Sequence, residues 1–199
     1  ARAFFSTFVA AIGKEARRGR RGMSETIGFI GTGNLGGALV AALLKAGHDV
    51  AIFDTDTTAM AALQEKGARP LNSARAVGDA AAIVFACLPT PEVCQQVALA
   101  EDGVTAGKAI AIYVETSTLG MAAIDAIAAG LAARKIQFLD NPIVGGGGGA
   151  GVADGKAATI TSGPRDAFAR VEPVLKSLTR NVFYAGEKPG LAQVCKCVN

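Results

Sequence analysis

The feature that most constrains the fold is a glycine-spaced turn between a short apolar run and a helix-like run. Gly31, Gly33 and Gly36 lie where the apolar segment 26–31 passes into the segment 35–46, whose leucines recur at helical spacing. In such a turn the first glycine permits a tight bend, the second lets the backbone approach a pyrophosphate, and the third lets the helix pack on the strand. The helix start also offers unpaired N–H groups to phosphates. This context predicts a dinucleotide-binding unit.

Short apolar runs continue to alternate with helix-spaced runs along the chain. The apolar runs lack polar alternation, which is typical of strands buried on both faces. The pattern predicts an α/β fold, a doubly wound parallel sheet of the Rossmann type with helices on both faces. The predicted strands are 26–31, 50–54, 69–71, 82–88, 109–114, 136–139, 157–161 and 182–185. The predicted helices are 35–46, 57–66, 74–79, 91–99, 121–134, 165–178 and a last one from about residue 190 to the chain end.

An acidic residue stands where the second predicted strand ends. Asp54 lies 18 residues beyond Gly36. A carboxylate there accepts hydrogen bonds from the adenosine ribose and repels a 2′-phosphate. We therefore predict NAD in preference to NADP, although a turn used only for packing is the alternative. The predicted cofactor-binding residues of this part are Gly31, Thr32, Gly33, Asn34, Leu35, Gly36 and Asp54.

Two later strands end in segments that we expect at the same edge of the sheet. The run 82–88 is followed by Pro89 and Thr90, and the run 109–114 leads to Thr118. Ligands of doubly wound folds bind at the carboxyl ends of the strands. We predict contacts of Leu88, Pro89, Thr90 and Thr118 with the nicotinamide half of the cofactor. Ordinary loop and helix-capping roles are the alternative.

A second glycine cluster and a late lysine are the other candidate site residues. Five successive glycines, 145–149, follow the predicted strand 136–139, and their exposed N–H groups suit a substrate carboxylate. A flexible linker is the alternative. Lys196 lies among apolar residues of the last helix, where desolvation would lower its pKa and suit it to general acid–base catalysis. The alternative is a solvated helix lysine.

Composition excludes several classes of protein. Half of the residues are apolar and 19% are charged, so the chain is neither disordered nor fibrous. The net charge of +3 comes from the arginine-rich residues 1–22, and the rest is slightly acidic, so we predict no nucleic-acid partner. The four cysteines predict free thiols and a reducing, cytoplasmic location. With His48 as the one histidine, placed in a surface turn, we predict neither a metal site nor a Ser-His-Asp triad.

Residues 1–22 read as an extension outside the fold. Their apolar part is too short to span a bilayer, so we predict no membrane insertion. We favour Met23 as the natural start, with an organelle transit peptide as the alternative.

Taken together, these residues resemble the β-hydroxyacid dehydrogenase family, of the 3-hydroxyisobutyrate dehydrogenase type. The resemblance covers about 26–199. It rests on the first glycine turn, Lys45-Ala46-Gly47-His48, Leu88-Pro89, Ser117-Thr118, Asp140-x-Pro142 with its glycines, and Lys196-x-x-Asn199.

The resemblance implies an oxidoreductase that transfers a hydride between NAD(P) and a small 3-hydroxy acid or its semialdehyde. Lys196 would be the catalytic proton donor and acceptor, and Thr118 would contact the nicotinamide end. The implied substrate-binding residues are Val144, Gly145, Gly146 and Asn199.

The chain departs from the family pattern at four positions and at its end. Val144 stands where the family usually has Ser, Glu115 where it has Asp, Met121 where it has Pro and Ala192 where it has Gly. By resemblance, 23–188 is the dinucleotide-binding domain and 189–199 begins an interdomain helix. The all-helical domain that would follow closes the cleft and makes a homo-oligomer, so we expect this truncated chain to turn over poorly.

Three other readings stay open. The segment from Gly31 to Leu35 also resembles pyrroline-5-carboxylate reductases, which reduce imines, and 6-phosphogluconate dehydrogenases share the glycine and lysine pattern. A dinucleotide-binding module without catalysis is the alternative from another functional class.

Overall fold

Short strands alternate with helices in the computed structural model, which describes residues 25–145 and 147–198. The strands are β1 (Ile27–Ile30), β2 (Val50–Phe53), β3 (Arg69–Pro70), β4 (Ile83–Ala86), β5 (Ile112–Glu115), β6 (Gln137–Asp140), β7 (Ile143–Val144), β8 (Ala158–Ser162) and β9 (Asn181–Gly186). The helices are α1 (Asn34–Lys45), α2 (Thr57–Gln64), α3 (Ala74–Ala80), α4 (Pro91–Leu99), α5 (Met121–Ala133), α6 (Gly149–Ala153), α7 (Arg165–Leu178) and α8 (Leu191–Cys197). The predicted extension 1–22 lies outside the described residues.

Six strands form the parallel part of the sheet in the order β3-β2-β1-β4-β5-β6. β1 lies between β2 and β4, and its residues Ile27–Ile30 are in register with both neighbours. After β1 the chain adds β2 and β3 on one side of β1. It then returns to the other side of β1 and adds β4, β5 and β6. A crevice therefore opens at the carboxyl ends of β1 and β4, where doubly wound folds bind ligands. The predicted doubly wound α/β fold is confirmed.

The far side of the sheet differs from the predicted all-parallel order. β8 pairs antiparallel with β6 and with β7, and β9 runs parallel to β8. The chain passes from β6 through Asn141 and Pro142 straight into β7, which was not predicted. No crossover helix separates these two strands, and only the five-residue α6 precedes β8. β8 therefore returns beside β6 and β7 instead of crossing over the sheet.

Apolar side chains cover both faces of the sheet. One cluster includes Phe29 and Phe85 beneath α1 and α7. The other includes Ile30 and Tyr113 of the sheet, which pack beneath α3, α4 and α5, and Ile124 of α5. Two buried faces explain why the strands show no polar alternation. None of the helices in 25–145 and 147–198 combines the length and apolarity needed to cross a membrane.

Candidate active site

A cleft of about 900 Å³ lies at the carboxyl ends of β1, β2, β4 and β5. Its volume is in the range of cofactor and substrate sites. It brings together residues that were predicted from five separate segments of the chain. The predicted residues that line it are Gly31, Gly33, Asn34, Leu35, Gly36, Asp54, Leu88, Pro89, Thr118 and Lys196.

The three glycines of the first turn differ in what a Cβ atom would meet at each position. Gly31 has a φ of +89°, and a Cβ there would lie 2.1 Å from the carbonyl oxygen of Cys87. A Cβ on Gly36 would lie 1.9 Å from the carbonyl oxygen of Gly31. Gly33 is different, because a Cβ there would meet no atom within 4 Å and would occupy open space at the cleft. This free approach to the backbone at the start of α1 fits a dinucleotide pyrophosphate.

The carboxylate of Asp54 is held rigidly at the end of β2. Its Oδ2 accepts hydrogen bonds from the backbone N–H and the hydroxyl of Thr32, and its Oδ1 accepts one of 2.9 Å from the N–H of Asp56. Burial alone would raise the pKa of Asp54. The hydrogen bonds from Asp56 and Thr32 outweigh burial, and the pKa lies below its usual value. A charged acceptor therefore faces the cleft across the pH range of most assays.

Two predicted cofactor contacts lie beside the cleft instead of lining it. Thr32 is buried and points its hydroxyl at Asp54. Thr90 caps α4, because its hydroxyl accepts a hydrogen bond from the N–H of Val93. Direct contact of these two side chains with a cofactor stays a prediction. What the structure gives them is a supporting role.

The buried carboxyl group of Glu115 accepts hydrogen bonds that fix the loop after β5. Glu115 is fully buried and accepts hydrogen bonds from the N–H of Ser117 at 3.0 Å and the hydroxyl of Tyr113 at 3.1 Å. Burial raises the pKa of Glu115. Ser117 in turn accepts a 2.8 Å hydrogen bond from the N–H of Leu88. The loops that follow β4 and β5 are therefore fixed to each other at the cleft.

The amine of Lys196 reaches this cleft from α8. Its Nζ donates a 2.7 Å hydrogen bond to the carbonyl oxygen of Ile143, in β7. Burial lowers the pKa of Lys196, as expected for a lysine among apolar groups. The structure thus places the lysine at the cleft edge that Thr118 also lines.

The predicted substrate residues are only partly accounted for. Val144 and Gly145 follow Ile143 and are therefore close in sequence to the Lys196 contact, but neither lines the cleft. Gly145 is exposed and has a φ of +78°. Gly146 and Asn199 lie outside the described residues. All four substrate assignments stay predictions.

Sequence reasoning missed a buried polar pair next to the site. Gln193 of α8 and Asp140 of β6 are joined by a 2.6 Å hydrogen bond from the Gln193 side-chain N–H group to Asp140 Oδ1. Asp140 appeared only as part of a motif. The one signal for Gln193 was a polar residue in an otherwise apolar helical turn.

His48 lies outside the candidate site, and of the four thiols only that of Cys87 lines the cleft. His48 Nε2 is 3.0 Å from the Ser177 hydroxyl, away from the cleft lining, and burial lowers its pKa. The four cysteines are unpaired. In the part of the chain that the structure describes, no three His, Cys, Asp or Glu side chains are grouped to hold a metal ion.

Comparisons with known proteins agree with this geometry. Residues 26–186 match the family model described as the NAD binding domain of 6-phosphogluconate dehydrogenase. A 3-hydroxyisobutyrate dehydrogenase of Pseudomonas aeruginosa is 39% identical over 176 residues, which are 87% of this chain and 57% of that protein. An NAD-dependent L-serine dehydrogenase of the same organism is 33% identical and covers 88% of this chain and 58% of its own length.

A solved structure shows the same fold. Mycobacterium tuberculosis 3-hydroxyisobutyrate dehydrogenase, determined with L-serine, matches with a TM-score of 0.79 and 29% identity, over 89% of this chain and 59% of that one. The chain therefore spans a little under three-fifths of the length of the relatives it matches.

Proposed function

We propose that this chain is the cofactor-binding half of a hydroxyacid dehydrogenase. It belongs to the family of the NAD binding domain of 6-phosphogluconate dehydrogenase, and the proposal proceeds from that membership. The observation that carries the proposal is the convergence of the glycine turn, Asp54, Thr118 and the Lys196 amine on one cleft. Two relatives above 30% identity are dehydrogenases of a hydroxy acid and of a hydroxy amino acid.

The residues of the cleft divide the work of holding NAD. We assign the pyrophosphate to the backbone around Gly33 at the start of α1, and the adenosine ribose to Asp54. A 2′-phosphate would meet the charge of Asp54, which favours NAD over NADP. The loop that carries Thr118 would border the nicotinamide. When bound, NAD supplies the acceptor for the hydride that leaves the alcohol carbon, and NADH supplies the donor in reduction.

Lys196 is the residue that we assign to proton transfer. In oxidation its neutral amine takes the hydroxyl proton while the carbon–hydrogen bond breaks and the carbonyl forms. In reduction the ammonium returns that proton to the carbonyl oxygen. Burial lowers the pKa of Lys196, which favours the neutral amine that oxidation needs.

We propose a small 3-hydroxy acid as substrate. Both 3-hydroxyisobutyrate and L-serine, which appear in the names of the relatives, carry a hydroxymethyl group one carbon away from a carboxylate. The N–H groups of the glycine segment after Val144 suit such a carboxylate. Val144 offers no hydroxyl group, so the substrate contact there is apolar. The division into 23–188 and 189–199, a cytoplasmic location and a homo-oligomer stay predictions.

Binding and turnover test the proposal separately. The chain is titrated with NADH and NADPH, and the full-length protein is assayed for NAD-dependent oxidation of 3-hydroxyisobutyrate and L-serine. Lys196→Met should lower the rate by about a hundredfold or more, the usual contribution of a general acid–base group. Lys188→Met is the matched control, because Lys188 is exposed and lies outside the cleft. NADH binding without turnover on any hydroxy acid or imine would instead favour a non-catalytic module.

A further inference from the structure

Gln193 joins three segments of the candidate site. Its side chain is 2% exposed and lies in the first turn of α8. Its Oε1 accepts a 2.9 Å hydrogen bond from the N–H of Leu119, and its Nε2 donates to the carbonyl oxygen of Ser117 at 3.1 Å and to Asp140 Oδ1 at 2.6 Å. A buried amide with three side-chain hydrogen bonds is nearly saturated.

The partners fix which way the amide points. Leu119 offers an N–H group, which can only donate, and Ser117 offers a carbonyl oxygen, which can only accept. The reversed amide would put donor against donor and acceptor against acceptor. No other residue type has an acceptor and a two-hydrogen donor on a side chain of this length.

The same residue fixes the start of α8. The N-cap Gly190 has no side chain with which to cap the helix. Instead the N–H of Ala192 donates to the Ser162 hydroxyl at 3.1 Å, and the N–H of Gln193 donates to Asp140 Oδ2 at 3.2 Å. The first turn of α8 is therefore held by β6 and β8 through tertiary contacts. Such contacts replace the caps that most helices carry locally.

The side-chain amide of Gln193 also forms hydrogen bonds with both neighbours of Thr118. Ser117 and Leu119 are fixed by Gln193, whereas Thr118 between them is exposed and lines the cleft. Lys196 follows Gln193 by three residues and therefore lies on the same side of α8. One buried amide thus connects the loop expected at the nicotinamide with the helix that carries the proton-transfer amine.

We propose that Gln193, supported by Asp140, is a positioning residue that couples the loop Ser117–Leu119, here called the Thr118 loop, to the Lys196 amine. This inference rests on the proposed function. Gln193 is buried and does not line the cleft. It keeps the amine and the loop at a fixed separation, so that ordering of the loop by the cofactor also orders the amine. The adenosine end, which is held by Gly33 and Asp54, is independent of this connection.

The test uses Gln193→Met in the chain as it stands. Methionine keeps the length of the side chain and removes all three side-chain hydrogen bonds. The first readout compares dissociation constants for NADH and for ADP-ribose, which lacks nicotinamide. We expect NADH to bind about fivefold more weakly and ADP-ribose to bind within about twofold of wild type. A purely structural role would weaken both ligands equally.

The second readout follows Lys196 itself. The amine is modified by reductive methylation at fixed pH, and the modified peptide is quantified by mass spectrometry with and without NADH. In the wild type NADH should slow the modification. In Gln193→Met the reaction without NADH should be about fivefold faster, and the protection by NADH should be largely lost. Unchanged Lys196 reactivity, or equal loss of NADH and ADP-ribose affinity, would overturn the inference.

Matched variants separate coupling from loss of stability. Thr105→Val removes a hydroxyl outside the cleft lining that donates to the Ala98 carbonyl oxygen and accepts from Arg134. Gln64→Met makes the same chemical change as Gln193→Met at an exposed site. Neither should alter Lys196 reactivity. If Gln193→Met does not fold, Asp140→Asn replaces it, because this change weakens the same connection. The changes in NADH affinity and in Lys196 reactivity should then have the same direction and a smaller magnitude. Failure of the wild type to bind NADH would refute the proposed function alone, because the reactivity of Lys196 without cofactor still reports the coupling.

Discussion

Replacing Gly33 by alanine should weaken cofactor binding while leaving the fold intact. Gly33 is the N-cap of α1, with φ −61° and ψ −162°, an extended conformation with negative φ. A Cβ there would meet no protein atom within 4 Å. The new methyl group would instead occupy the space through which we expect the pyrophosphate to approach the backbone.

The magnitudes of the two effects differ clearly. Alanine is a poorer N-cap than glycine, which lowers the free energy of unfolding. It also reduces the conformational entropy of the unfolded chain, which raises the free energy of unfolding by about 0.4–1 kcal/mol. The two terms nearly cancel, so the free energy of unfolding should change by less than about 0.5 kcal/mol. The loss of one charge-assisted hydrogen bond to phosphate costs about 1.5–3 kcal/mol. The dissociation constant for NADH should therefore rise about ten- to a hundredfold.

NADH titration followed by fluorescence measures the affinity, and urea denaturation measures the stability. Gly120→Ala is the matched control. Gly120 is also an N-cap in extended conformation, with φ −77°, ψ 159° and open space at its Cβ position, but it does not line the cleft. If Gly33→Ala binds NADH within about threefold of wild type, or if the control loses as much affinity, then the pyrophosphate does not approach the backbone at Gly33.

Three further predictions follow from the same site. Asp54→Asn keeps an acceptor for Thr32 but removes the charge, so the ratio of NADPH to NADH affinity, measured by titration, should rise about tenfold; an unchanged ratio would contradict the assignment of Asp54. Gly31→Ala should lower the free energy of unfolding in urea by at least about 2 kcal/mol, because of its positive φ and the close carbonyl of Cys87, and wild-type stability would exclude that cause. Burial raises the pKa of Glu115 above its unfolded value of 4.5, so the folded chain holds that proton more tightly. Wild type should lose stability relative to Glu115→Gln as the pH rises from 4.5 through the folded pKa, and parallel pH profiles would contradict this.

The sequence by itself determined the features that follow from local rules. The spacing of the glycines, the acid after the second strand and the alternation of buried strands with helices each depend on residues close in the chain. They were enough to predict the Rossmann fold, the cofactor, and the glycine turn and acidic residue that line the cleft. The resemblance added the role of Lys196, which spacing alone could not distinguish from a solvated lysine.

Only the tertiary structure decided how distant segments support that cleft. The antiparallel return of β8 depends on which strand edge stays free after β6, and no local pattern records this. Thr32 and Thr90 have the sequence context of cofactor contacts, but their hydroxyls are used by Asp54 and by the start of α4. Gln193 and Asp140 are 53 residues apart and meet only because α8 packs against the end of β6. A hydrogen bond between buried groups selects its partner by position in space, and the chain must be folded before that position exists.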